Sequence, residues 1–228
     1  ADSYRKIRNT FRYLLGNIND NFENTNLDNL KISELPELEQ LMLHKIFMLN
    51  NNFKNYFSNY DFHNLYKELL NFCTVDLSAF YFDIRKDNLY CDPKNSKKRK
   101  STIILLNILL NSLLKWFAPI LSFTTEEIYQ LLYKSKKSVH LEKFLDFPDN
   151  FRNDRLNEKW SELIKIRNIC NISIEEKRAT KEIGSSLEAD LKIQLNQNLK
   201  EMTEDVDFSE ICITSKAEVN YESDIETN

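Results

Sequence analysis

The chain has 228 residues, with 31 Lys and Arg against 35 Asp and Glu, 3 His, 4 Cys and only 2 Gly. At 42% hydrophobic and 12% aromatic residues it holds enough apolar material for a substantial core, which excludes disorder over most of its length. Two glycines cannot furnish a phosphate loop, a dinucleotide turn and several hairpins together, so nucleotide-binding and most all-β folds are disfavoured at the outset.

In chain order, Tyr4, Ile7, Phe11 and Leu14 recur at helical spacing and predict a first helix with a buried face, stopped at Gly16-Asn17. Ser33, Pro36 and Glu37 mark the start of a second helix through Leu38, Leu41, Met42, Ile46 and Leu49, running to about Tyr56. Asp61 is placed to cap a third helix that continues past Leu69, Leu77 and Ile84 towards Tyr90. Its aromatic stripe, Phe72, Phe80, Tyr81 and Phe82, suits a bundle core. After the loop at Cys91–Ser96, a fourth helix holds Ile103 to Phe117 and ends at Pro119. That run is too short to span a membrane, and Asn107, Asn111 and Lys115 give it a polar stripe. Thr124 and Glu127 form a capping box for a short fifth helix.

Residues 1–150 therefore read as a helical-bundle domain, and 151–228 as a long helix plus a small α+β unit; the fold class is mainly α. The long helix spans about Asn153 to Ile183 with Gly184 at its end. Leu187, Ala189, Leu191, Ile193 and Leu195 then alternate with polar residues as a half-buried strand. Ile211–Thr214 and Ala217, Val219 and Tyr221 suggest one or two further strands, and Ser223–Asn228 a frayed end.

Charge divides unevenly, with 20 basic and 18 acidic residues over 1–150 but 11 and 17 over 151–228. A pI near 5.6 argues against a general nucleic-acid binder, although a near-neutral domain can still present one basic face. The four cysteines are widely spaced and have no histidine at ligand spacing, so neither a zinc site nor a disulfide framework is expected, and a reducing cytoplasm is the simpler setting. The opening ADSYRKIRN has neither Met nor a signal-type apolar region, which suggests a piece of a longer protein that is addressed to no membrane.

Catalytic motifs are absent from the sequence. The acid pairs Glu126-Glu127 and Glu175-Glu176 diverge on a helix and read as solvated or capping residues, and His44, His63 and His140 as surface or loop histidines. No catalytic residue and no metal ligand is assigned. One pattern does suggest a ligand: Arg5, Arg8, Asn9 and Arg12 lie at i, i+3, i+4 and i+7 on a single helix face. Guanidinium groups fork onto phosphate oxygens, and an amide can read a base edge or a 2′-hydroxyl. Spacing alone favours the plainer reading of the same row, an ordinary solvated helix face with partial acidic pairing. Lys94, Lys97, Lys98, Arg99 and Lys100 form a second basic cluster in a loop entering a helix, and on pattern alone a flexible solubilising loop is the favoured reading of it. Arg85-Lys86 before Asp87 fits either an intrahelical ion-pair neighbourhood or a binding patch.

The stretch ADSYRKIRNTFRYLLGN (1–17) resembles the start of the anticodon-binding domain of class I aminoacyl-tRNA synthetases of the Ile/Val/Leu group. YDFH (60–63), FCTVDLSAFYFDIRKDNLY (72–90), WFAPILSFTTEEIY (116–129) and GSSLEA (184–189) follow in the same order, and the aromatic-rich stretch around Phe80 to Tyr90 is similar to the bacterial-type isoleucyl branch in particular. The resemblance implies a non-catalytic, cytoplasmic, monomeric tRNA-recognition piece that binds the anticodon stem-loop of isoleucine tRNA through the Arg5/Arg8/Asn9/Arg12 face and the Lys97–Lys100 cluster. It implies a parent ligase that uses ATP and Mg²⁺ to join isoleucine to tRNA. That family's HIGH and KMSKS signatures do not occur in this chain, and zinc is expected only in a C-terminal module outside it. The alternatives are a valyl- or leucyl-type piece, or a helical protein-interaction module.

Overall fold

The computed structural model describes residues 2–18, 27–134 and 137–223. They divide into two compact units, Ala1–Asn153 and Asp154–Asn228.

In the first unit, α1 (Asp2–Ile18) buries Ile7, Thr10, Phe11, Leu14 and Ile18 on one stripe. It runs past the expected stop, because Gly16 stays within the helix and the Asn17 amide donates to the Tyr13 carbonyl at 2.8 Å. The second helix, α2 (Glu37–Ser58), begins after Pro36, while Ser33 sits in a separate 3₁₀ turn at Ile32–Glu34. Tyr60 closes α2 in a left-handed conformation (φ 57°), and the Asp61 N–H bonds back to the Tyr56 carbonyl at 2.9 Å. Asp61 then caps α3 (Phe62–Asn71) as the sequence predicts, accepting from the Asn64 N–H at 3.2 Å.

Beyond α3 the expected single α-helix gives way to a π-helical stretch, Phe72–Tyr81, before α4 (Phe82–Tyr90). Five-residue spacing marks it: the Phe82 N–H bonds to the Leu77 carbonyl, and the Ser78 hydroxyl donates to the Cys73 carbonyl at 2.8 Å. The wider turns rotate the apolar stripe, so that Phe72, Cys73, Leu77, Phe80, Tyr81, Phe82 and Ile84 are all buried. The aromatic stripe is core, as expected.

The next helix, α5 (Lys97–Phe117), starts six residues earlier than predicted, with the Ser96 hydroxyl accepting from the Arg99 N–H at 3.4 Å. It is buried on nearly every side. Two of its polar groups fold back on the helix: Asn107 donates to the Ile103 carbonyl (3.0 Å) and Ser112 to the Ile108 carbonyl (2.7 Å). The polar stripe inferred from the sequence therefore lies partly inside the bundle. In α6 (Ser122–Tyr133), Leu121 occupies the N-cap without a side-chain bond, so the Thr124–Glu127 capping box does not form.

Two buried polar knots join these helices. Glu39 on α2 is fully buried and receives the Arg85 guanidinium through both oxygens, from Nε at 2.7 Å and from a terminal nitrogen at 2.8 Å. The Tyr81 hydroxyl donates to the same carboxylate at 2.9 Å. In the second knot the Trp116 indole N–H donates to the Asn50 amide oxygen (3.1 Å), and the Asn50 amide nitrogen donates to the Leu145 carbonyl (3.0 Å). His44, expected at the surface, is buried instead: its Nδ1 accepts from the Asn153 N–H at 2.9 Å, satisfying a backbone donor.

The second unit opens with α7 (Asp154–Ala179), which buries Leu156, Trp160, Leu163, Ile166, Arg167, Cys170 and Ile174 along one face. It stops four residues short of Ile183, and Lys181 (φ 61°), not Gly184, takes the left-handed position. Leu187 lies in a 3₁₀ turn, and the strand β1 is confined to Asp190–Asn196. Two short helices follow, α8 (Lys200–Thr203) and α9 (Phe208–Cys212). The Asp207 carboxylate caps α9 by accepting from the Ser209 and Glu210 N–H groups, so the strand expected from Ile211 is helical. One strand, β2 (Lys216–Glu222), pairs parallel with β1 in the register Asp190↔Lys216 to Asn196↔Glu222. Parallel pairing requires a crossover, which α8 and α9 supply. The expected frayed end falls on residues 224–228, outside the described residues.

All four cysteines are free thiols. The fold nevertheless brings two together: Cys170 on α7 hydrogen-bonds with Cys212 on α9, which lowers the Cys170 pKa and pushes that of Cys212 well up. No helix among the described residues is long and apolar enough to cross a membrane.

Candidate nucleic-acid interface

The basic row on α1 is held by what lies behind it. Ile7, Phe11, Leu14 and Ile18 are essentially inaccessible, and Phe11 meets Phe117 of α5 edge-on at 5.9 Å. A helix anchored so completely on one face holds its other face rigid, and Arg5, Arg8, Asn9 and Arg12 are all exposed there. The structure thus brings these four predicted residues together.

Their environments differ. Arg5 meets Asp2 at 2.6 Å, and Lys6 meets the other oxygen of the same carboxylate at 3.1 Å. The Lys6 and Arg5 side chains hold the Asp2 carboxyl below its ordinary range. Ion pairs this exposed contribute little and exchange readily for a phosphate. Arg8 donates to the Tyr4 hydroxyl at 3.2 Å, and the negative charge of Glu127 lies close enough to favour its charged form. Asn9 and Arg12 have no side-chain partner among the described residues.

Tyr4 departs from expectation. The periodicity assigns it to the buried face, yet it is 39% exposed. Its hydroxyl lies 3.0 Å from the Thr124 hydroxyl and so ties the start of α1 to the start of α6. The hydrogen bonds from Thr124 and Arg8 lower its pKa. Sequence spacing missed this junction because Thr124 is 120 residues away.

Of the second predicted cluster, Lys97–Lys100 form the first turn of α5 and Lys94 lies in the turn before it. Lys97, Lys98 and Lys100 are exposed, whereas Arg99 is half-buried and donates to the Asp92 carbonyl at 2.6 Å. Four cations at a helix N-terminus oppose the helix dipole, which makes them poor helix starters and good anion contacts. Nothing brings this cluster into contact with the α1 row among the described residues.

The remaining candidates have structural roles. Arg85 is buried against Glu39, and Lys86 pairs with Asp83 at 3.0 Å. Glu126 accepts from Gln130, Ser138 and the Val139 N–H, which holds its pKa down, and Glu175 pairs with Arg178. Among the described residues, no three or more His, Cys, Asp or Glu side chains are grouped to hold a metal ion.

The arginine row thus stands exposed on a helix whose opposite face is packed into a helical bundle. Residues 39–195 match the family described as the anticodon-binding domain of tRNA ligase, and the chain belongs to that family. The chain is 70% identical to an isoleucine–tRNA ligase of Pelagibacter ubique over 96% of its own length and 24% of that relative. It is 40% identical to isoleucine–tRNA ligases of Agrobacterium fabrum and Bartonella henselae, over 94% of the chain and 22% of each relative. The chain thus spans about a quarter or less of the curated relatives it matches.

Proposed function

We propose that this chain is the tRNA-recognition part of an isoleucine–tRNA ligase and binds the anticodon stem-loop of isoleucine tRNA. The observation that carries this reading is the exposed Arg5/Arg8/Asn9/Arg12 row on a helix whose opposite face is locked into the core. The isoleucine-specific names of its relatives favour that amino acid over valine or leucine.

Arg8 and Arg12 supply positive charge to stem or loop phosphates, Arg5 joins them by releasing Asp2, and the Asn9 amide meets a base edge or 2′-hydroxyl. Lys97, Lys98, Arg99 and Lys100 form a separate phosphate contact. The chain itself catalyses nothing and acts as a monomer in the cytoplasm. Isoleucine attachment belongs to the parent enzyme, which uses ATP and Mg²⁺.

Fluorescence anisotropy against isoleucine and valine tRNA transcripts, at low and near-physiological salt, tests the reading. The expected result is tighter binding of the isoleucine transcript, weakening as salt rises. Salt-insensitive binding, equal for both transcripts, would favour the protein-interaction alternative.

A further inference from the structure

Phe123 is the most exposed large apolar side chain among the described residues, at 94%. It sits in the first turn of α6, where an apolar ring gains nothing from the bundle behind it. An isolated exposed phenylalanine is ordinary. What sets this one apart is its surroundings: the adjacent Thr124 touches the Tyr4 hydroxyl at 3.0 Å, and that hydroxyl accepts from Arg8 at 3.2 Å. The turn that carries the ring is therefore tied, through Thr124, to the N-terminal end of the arginine row, where Tyr4 is itself 39% exposed. Exposed rings beside guanidinium groups are the combination that holds unpaired nucleotides, since the cations fix the backbone while a base stacks on the π face. A duplex offers no free base face, whereas a loop does.

We infer that Phe123 is a stacking platform for one unpaired base of the RNA loop, placed at the end of the phosphate-binding row of α1. This inference rests on the tRNA-binding reading above. The contact has no hydrogen-bond pattern of its own, so it adds affinity for a looped-out base without selecting its identity. It also predicts different behaviour from the arginines: loss of the ring weakens binding at every salt concentration and leaves the salt slope unchanged, because no phosphate contact is lost.

The test uses the 228-residue chain and the anticodon stem-loop of isoleucine tRNA, with 2-aminopurine at one loop position at a time and a fully paired hairpin as control. Phe123→Ala is expected to lose about tenfold in affinity for the loop and to abolish the 2-aminopurine change at one position, with no loss on the paired hairpin. Phe123→Trp is expected to restore both. Phe123→Leu, which keeps the apolar bulk without a π face, is expected to behave as the alanine variant does. Circular dichroism of each variant should match the parent chain, as the side chain is outside the core. If Arg8→Ala with Arg12→Ala weakens binding while Phe123→Ala binds as the parent does, the stacking role is overturned and the tRNA reading stands. If the parent chain shows no salt-dependent binding to the stem-loop at all, both are overturned.

Discussion

Arg85 on α4 and the arginines of α1 are the same chemical group in opposite settings. Arg85 is 3% exposed and grips both oxygens of Glu39, whereas Arg5, Arg8 and Arg12 project from a helix whose far side is sealed. In sequence the two regions look alike, each a pair or row of cations among aromatic residues. What separates them is a carboxylate 46 residues from Arg85, carried on α2 and brought by the tertiary fold within hydrogen-bond reach of it. A guanidinium met by such a buried partner is part of the core, whereas Arg5, Arg8 and Arg12 stay at the surface, Arg5 in an exposed pair with Asp2. In the second unit a backbone oxygen takes the place of the carboxylate: Arg167 is buried and its Nε donates to the Ile211 carbonyl at 2.9 Å.

The largest expected effect breaks the buried side of this contrast. Arg85→Met strips the fully buried Glu39 of its counter-ion and should cost about 3–5 kcal/mol in urea unfolding. Adding Glu39→Leu should recover more than half of that loss, with the orphaned Tyr81 hydroxyl accounting for the remainder. A double variant as unstable as the single one would mean that shape, not charge burial, sets the penalty. The smallest effect concerns a cation whose position is dictated by the backbone. Lys181 is exposed and holds φ at 61° after α7, so Lys181→Gly should stabilise the chain by about 1 kcal/mol, read as a higher unfolding midpoint. No change would show that its left-handed conformation carries little strain.

Much of the fold was legible because period and capping are local signals. The apolar stripe of α1, the Asp61 cap and the alternation of Leu191, Ile193 and Leu195 follow directly from spacing. What escaped notice depends on partners distant in sequence or on rules that the structure breaks. The π-helical turns at Phe72–Tyr81 have no local signature. The start of α5 was hidden because Lys97–Lys100 oppose the helix dipole. Ile211 read as strand because an apolar run does not announce its period, and only the Asp207 cap turns it into α9. With only two glycines in the chain, helix ends at Tyr60, Lys134, Lys181 and Ile213 adopt positive φ on ordinary side chains, and Gly16 proved to be a helix interior residue. The candidate site divides the same way. The i, i+3, i+4, i+7 row was visible as a face, but the Tyr4–Thr124 junction and the burial of Arg85 and His44 required the tertiary structure.

The most direct test of the proposed RNA role of the surface arginines is the slope of log Kd against log salt for the isoleucine anticodon stem-loop, measured for the parent chain and for Arg8→Ala with Arg12→Ala. Two lost phosphate contacts should weaken low-salt binding and reduce the magnitude of the slope by about one unit per arginine, with the unfolding midpoint unchanged. Identical affinity and slope in the double variant would contradict the assignment of this face to RNA.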